Sequence, residues 1–230
     1  MKKIITAAII AASTHVSAQD LSITVTNLTH GMAFTPVLVA AHDASGNLFD
    51  VGVPASASLQ AMAEGGALTG LQSDLDAISA SHVSAAAPLM AGASVSLSLN
   101  TDAAPANTKL TVLAMLLPTN DGFIGLDAVD IPASAGSYTF YLNAYDAGTE
   151  ANDELITGGG APGVAGIPGD PGGLAGAGAT VGVAGADSNT SVHIHRGAIG
   201  DDNASGGNSD LNNSVHRWLN PVARVTVVVN

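Results

Sequence analysis

Leu21-Ser22-Ile23-Thr24-Val25-Thr26-Asn27-Leu28 is the stretch whose reading decides the fold. Apolar and polar residues alternate through it and β-branched side chains dominate, the pattern of a strand with one buried and one solvated face. Working outward, comparable runs recur at 34–41, 93–99, 109–117, 138–145, 190–195 and 222–229. Seven such runs predict a mainly β chain folded as a sandwich. Helical signals are few. In residues 56–64, Ser56 is a candidate N-cap, Leu59, Met62 and Ala63 share one face, and Gly65-Gly66 forms a stop; residues 68–78 predict a second short helix.

The first residues have the form of an export signal: Lys2 and Lys3, an apolar stretch from Ile4 to Ala12, then Val16-Ser17-Ala18 as a small-residue cleavage site before Gln19. This predicts a leader over 1–18 and one domain over 19–230. The apolar stretch is much shorter than the ~20 residues of a membrane-spanning helix. Six Lys and Arg against 19 Asp and Glu give a net charge of -13, which repels nucleic acid and anionic membranes and favours cations. With no Cys in the chain, disulfides, thiol catalysis and thiolate metal sites are excluded.

Carboxylates concentrate in Tyr145-Asp146-Ala147-Gly148-Thr149-Glu150-Ala151-Asn152-Asp153-Glu154, directly after an apolar run. Asp146 and Glu150, four apart across Gly148, have the oxygen chemistry of a calcium site. Alone, the segment reads more plainly as a solvated acidic turn, because the alternating acidic pattern of a self-sufficient calcium loop is missing. A second acidic segment, Gly125-Leu126-Asp127-Ala128-Val129-Asp130, is expected to form another loop and supply a further ligand. Residues 158–185 are Gly- and Pro-rich, with Gly160, Gly163, Gly166, Gly169 and Gly172 at every third position. The triplet period breaks at Ala175, far too soon for a collagen helix, so a long and partly ordered surface loop is expected.

Several segments together resemble the spondin N-terminal domain family, known from F-spondin and mindin and from exported bacterial proteins. They are Phe34-Thr35-Pro36-Val37-Leu38-Val39-Ala40-Ala41-His42; Gly52-Val53-Pro54-Ala55-Ser56 with Ala63-Glu64-Gly65-Gly66; Met115 through Asp127; Asp146-Ala147-Gly148-Thr149-Glu150; and Pro221 through Val227. The resemblance implies an antiparallel β-sandwich like the calcium- and lipid-binding sandwich domains, with one calcium held by loops at one end. It also implies Asp127, Asp146 and Glu150 as the calcium ligands. The function it implies is a non-enzymatic, extracytoplasmic binding or adhesion module, periplasmic or secreted, with an extracellular or envelope protein or a glycan as partner.

Val192-His193-Ile194-His195-Arg196 offers a different chemistry, since His193 and His195 would share one face of a strand. With His216 or His42 as a third ligand they could bind zinc or copper, and a transition-metal carrier or metalloenzyme is the alternative reading. The plainer reading is imidazoles bonded to neighbouring loops. No nucleophile elbow or zinc-protease motif is present. Glu64 with Glu154 is a conceivable glycosidase pair, but aromatic residues make up only 3% of the chain, leaving few platforms for sugars. Trp218 is expected to serve as a packing anchor.

Overall fold

Two runs are apolar without interruption, 38–41 and 112–117, and the computed structural model buries both on two faces. The described residues are 18–183 and 189–230. The expected leader lies outside them apart from Ala18, as do Ala184 and Gly185. In chain order the elements are β1 (Asp20–Asn27), β2 (Ala33–Phe34), β3 (Leu38–His42), α1 (Ala57–Gly65), α2 (Thr69–Ala77), β4 (Ser81–Ser84) and β5 (Ser94–Asn100). There follow β6 (Lys109–Leu117), β7 (Gly122–Asp130), β8 (Gly136–Asp146), β9 (His193–Ile194) and β10 (Ala223–Val229). Strands are ordered β4-β3-β6-β7-β8-β10-β1-β5, with β2 beside β6 and β9 beside β8, and every pairing between these strands is antiparallel.

The sheet curls so that its end strands β4 and β5 approach one another. Its inner face makes one core from both halves: Ile23 and Val25 of β1, Val225 and Val227 of β10, Leu142 and Ala144 of β8, Val112 and Ala114 of β6, and Val39 of β3. This is the expected mainly antiparallel, sandwich-like fold. Both helices pack on the outer face, where Leu59, Met62, Leu71 and Leu75 meet Leu38, Ala40, Leu113, Met115 and Phe123. That second layer is why β3 and β6 carry apolar residues on both faces while β1 and β10 alternate. No helix among the described residues is long and apolar enough to cross a membrane.

Local signals in the sequence acted as expected for α1: Ser56 Oγ accepts from Leu59 N at 3.1 Å, and Gly66, at φ 71°, ends the helix. The expected run 34–41 is split into β2 and β3 around Pro36, which has no N–H to give a ladder. A larger difference concerns residues 125–130. They are strand, the second half of β7, and the loop lies earlier, at Pro118-Thr119-Asn120-Asp121. A β-bulge disguises the alternation, because Asp127 and Ala128 together oppose the single Thr111, and Ala128 takes φ 50°. The Gly- and Pro-rich segment is folded against the rest of the protein through its backbone. Asp170 accepts from Gly172 N, Leu174 N and Ala175 N, and Asp210 from Ile156 N and Ala179 N.

Candidate metal centre

The β6–β7 turn is a buried polar knot. Thr119 Oγ1 donates to Leu116 O and accepts from Gly122 N at 3.0 Å, closing the turn and directing Asp121 inward, where its exposure is 0%. Gly122 pairs with Asp146 across β7 and β8, and Ala147 N donates to Asp121 O at 3.2 Å. The turn after β8 therefore folds over Asp121. Asp121 Oδ2 accepts from Thr149 N (2.7 Å), Thr149 Oγ1 (3.2 Å) and Glu150 N (3.1 Å). Asp146 Oδ1 accepts from Gly148 N at 2.8 Å and its Oδ2 from Asn152 Nδ2 at 2.6 Å.

Glu150 reaches towards the same end of the sheet. Its Oε2 accepts from Gly166 N at 3.1 Å and Asn120 Nδ2 at 3.4 Å. Behind it, on α1, Glu64 is fully buried and accepts from Gln60 Nε2 (2.8 Å) and Gly163 N (2.6 Å). The approach of the Gly- and Pro-rich segment to α1 requires a bare backbone, since a Cβ on Gly65 would lie 1.9 Å from Gly160 O. Sequence reasoning missed that this segment gives amide hydrogens to two carboxylates of the centre.

Two oxygens here, Asp121 Oδ1 and Glu150 Oε1, are buried with no hydrogen-bond partner. Burial raises the Asp121 carboxyl to about 6, and the neighbouring Asp146 adds to the rise against the pull of the Thr149 and Glu150 amides. Burial likewise raises Glu150 to about 7; the Gly166 amide opposes this, while Glu64 and Asp121 contribute repulsion. A buried anion lacking counter-charge holds its proton or takes a cation. The donor set is all oxygen, which suits a hard ion such as calcium. Among the described residues, no group of three His, Cys, Asp or Glu side chains already stands in a metal-holding array. The fit therefore rests on the two orphaned oxygens.

The structure brings Asp146 and Glu150 to this end and leaves Asp127 elsewhere. On β7, Asp127 is five residues beyond Gly122, the partner of Asp146, which is roughly 16 Å along a strand. Its Oδ1 accepts from Thr111 Oγ1 at 2.7 Å and Leu48 N at 3.3 Å. Burial raises its carboxyl, and those two bonds oppose the rise. Asp127 is thus not brought beside Asp146 and Glu150: the bulged ladder carries it along the strand, and Asp121 occupies the turn. The signal for Asp121 was legible, since Pro118-Thr119-Asn120-Asp121-Gly122 is turn chemistry between two apolar runs.

The imidazoles do not converge as the alternative reading requires. His193 Nδ1 donates to Ser191 O at 2.9 Å and lies 3.8 Å from Asp146 Oδ1. His195 Nδ1 accepts from Gly197 N at 3.0 Å, and its ring lies 5.0 Å from that of Trp218, which packs against the core as expected. His216 Nδ1 accepts from Asn212 N, and His42 bonds to Asp43 O and Thr111 Oγ1.

No curated protein matches this chain significantly. The family model described as Spondin_N matches residues 26–154, more than half of the 230 residues, from β1 through the acidic segment after β8. With Asp121, Asp146 and Glu150 all inside the matched span, the chain belongs to the Spondin_N family.

Proposed function

We propose that this protein is an exported, calcium-binding and non-catalytic binding or adhesion module, with the ion held by Asp121, Asp146 and Glu150. The observation that carries the reading is the pair of buried carboxylate oxygens without partners, Asp121 Oδ1 and Glu150 Oε1. A bound calcium supplies positive charge and oxygen coordination to these groups. The chain's own residues do the rest: backbone amides of Thr149, Glu150 and Gly166 fix the carboxylates, and the Asp146 turn links them to β8. The loops so joined would present a surface to an extracellular or envelope protein or a glycan.

A non-catalytic role is supported by the engagement of the one carboxylate pair considered for glycosidase chemistry. Glu64 is spent on Gln60 and Gly163, and Glu154 on Ile199 N, Gly200 N and Ser209 Oγ. Membership of the Spondin_N family points the same way.

Isothermal titration with calcium near pH 7.5 tests the site. Asp121→Asn and Glu150→Gln are each expected to weaken binding tenfold or more, about 1.4 kcal/mol. Asp127→Asn should stay within about twofold of wild type. Loss of calcium binding in Asp127→Asn with retention in Asp121→Asn would overturn the assignment.

A further inference from the structure

The outer face of the sheet between β7 and β8 carries a cleft of about 590 Å³, the size of small-ligand pockets. Asn47, Asp50, Lys109 and Asp127 stand around it. The chain has only four Phe, three Tyr and one Trp, yet Phe49, Tyr141 and Tyr145 all line this one cleft. Tyr141 and Tyr145 are four apart on β8 and so face the same way, roughly 13 Å from one another.

The three aromatic residues play different parts. Tyr145 and Phe49 are fixed in a cluster with Phe123, at ring separations of 5.0 to 5.6 Å. Phe49 lies across Gly125, where a Cβ would come within 2.6 Å of its ring. Tyr141, by contrast, is 61% exposed, an aromatic ring offered to solvent on a rigid strand. Nothing in the packing of the core needs it there.

Polar groups on the rim are held ready. Asn47 Nδ2 donates to Asp50 Oδ2 at 2.6 Å, Lys109 pairs with Asp130 at 2.7 Å, and both bonds to Asp127, a lining residue, fall on its Oδ1. An exposed ring flanked by carboxylate, amide and ammonium groups matches a pyranose, whose C–H face is apolar and whose edge is lined with hydroxyls. Asp50 and Asp127 against the single Lys109, itself paired with Asp130 beside the cleft, make the lining anionic, which disfavours uronic or sulfated sugars.

We propose that this cleft binds a neutral saccharide, with Tyr141 stacking on a sugar ring and Asp50 and Asp127 accepting from its hydroxyls. The site is distinct from the carboxylates at the β6–β7 turn, so its test is run in calcium and again in chelator, and binding is expected in both. Affinity electrophoresis of the full chain through gels containing soluble neutral glucan, galactan or mannan provides the readout, with polygalacturonate as the acidic comparison. At least one neutral polymer should retard the wild type, and polygalacturonate should not. Tyr141→Ala should weaken that retardation at least tenfold, and Gly125→Ala should weaken it too by displacing Phe49. Leu219→Ser, at a site 89% exposed and outside the cleft, should leave it unchanged. Because Tyr141 is largely exposed, its removal should not unfold the protein, and circular dichroism of the variant checks this. Absence of retardation by all the neutral polymers, preference for polygalacturonate, or full retention in folded Tyr141→Ala would each overturn the proposal.

Discussion

Thr111 is one hydroxyl with three polar neighbours: it donates to Asp127 Oδ1, accepts from Ala128 N at 3.0 Å and lies 2.8 Å from His42 Nε2, a ring that is wholly buried. Valine in its place keeps the shape and strands the imidazole nitrogen. Thr111→Val should therefore lower unfolding free energy by about 1–3 kcal/mol, measured by urea denaturation. The carboxylates of the candidate metal centre give a residue-scale prediction in pH. Asp121 at about 6 and Glu150 at about 7 lie above their ordinary values of 3.8 and 4.5, so the folded state holds protons that the unfolded chain releases. Their stabilising contribution is complete below the ordinary values and is lost as pH rises through 6 and 7. In calcium-free buffer the melting midpoint should fall over that window, and Glu150→Gln should fall less. Calcium should restore the wild type above pH 7, since it binds the deprotonated form. At this scale the sequence showed Asp146 and Glu150 because each sits in a run of polar ligand types; it pointed to Asp127 through the acidic segment it shares with Asp130 and through the family resemblance, and the pairing register that sets Asp127 on β7 is not local.

Among the elements, α1 was legible in full: cap, apolar face and stop are local, and each met the partner its chemistry requires. The bulged half of β7 was not, because whether Asp127 belongs to a loop or a strand depends on Thr111, a residue on a neighbouring strand. The Gly- and Pro-rich segment shows the same limit. Its composition speaks of entropy and mobility, while its order comes from distant carboxylates, Glu64 meeting Gly163 and Glu150 meeting Gly166. Replacing residues 161–175 with a short flexible link should thus weaken calcium binding at least tenfold, because the amides that orient Glu64 and Glu150 are lost. Unchanged affinity by titration would show the segment to be a passive covering.

At the scale of the whole molecule, the strand count and the alternation of β1 and β10 were enough to reach a mainly antiparallel, sandwich-like fold, while the order of the strands was beyond any local pattern. That order puts β10, which lies outside the Spondin_N match, between β8 and β1. Asp20 and Asn230 are joined at one end of the β1–β10 pair although 210 positions separate them. The consequence is temporal. During synthesis β1 emerges with both of its neighbours, β5 and β10, still unmade, and the halves of the sheet have no shared strand until β10 arrives. Closure across so long a loop is slow relative to local structure formation. The last strand made is thus the one that turns two separate ladders into a single sheet.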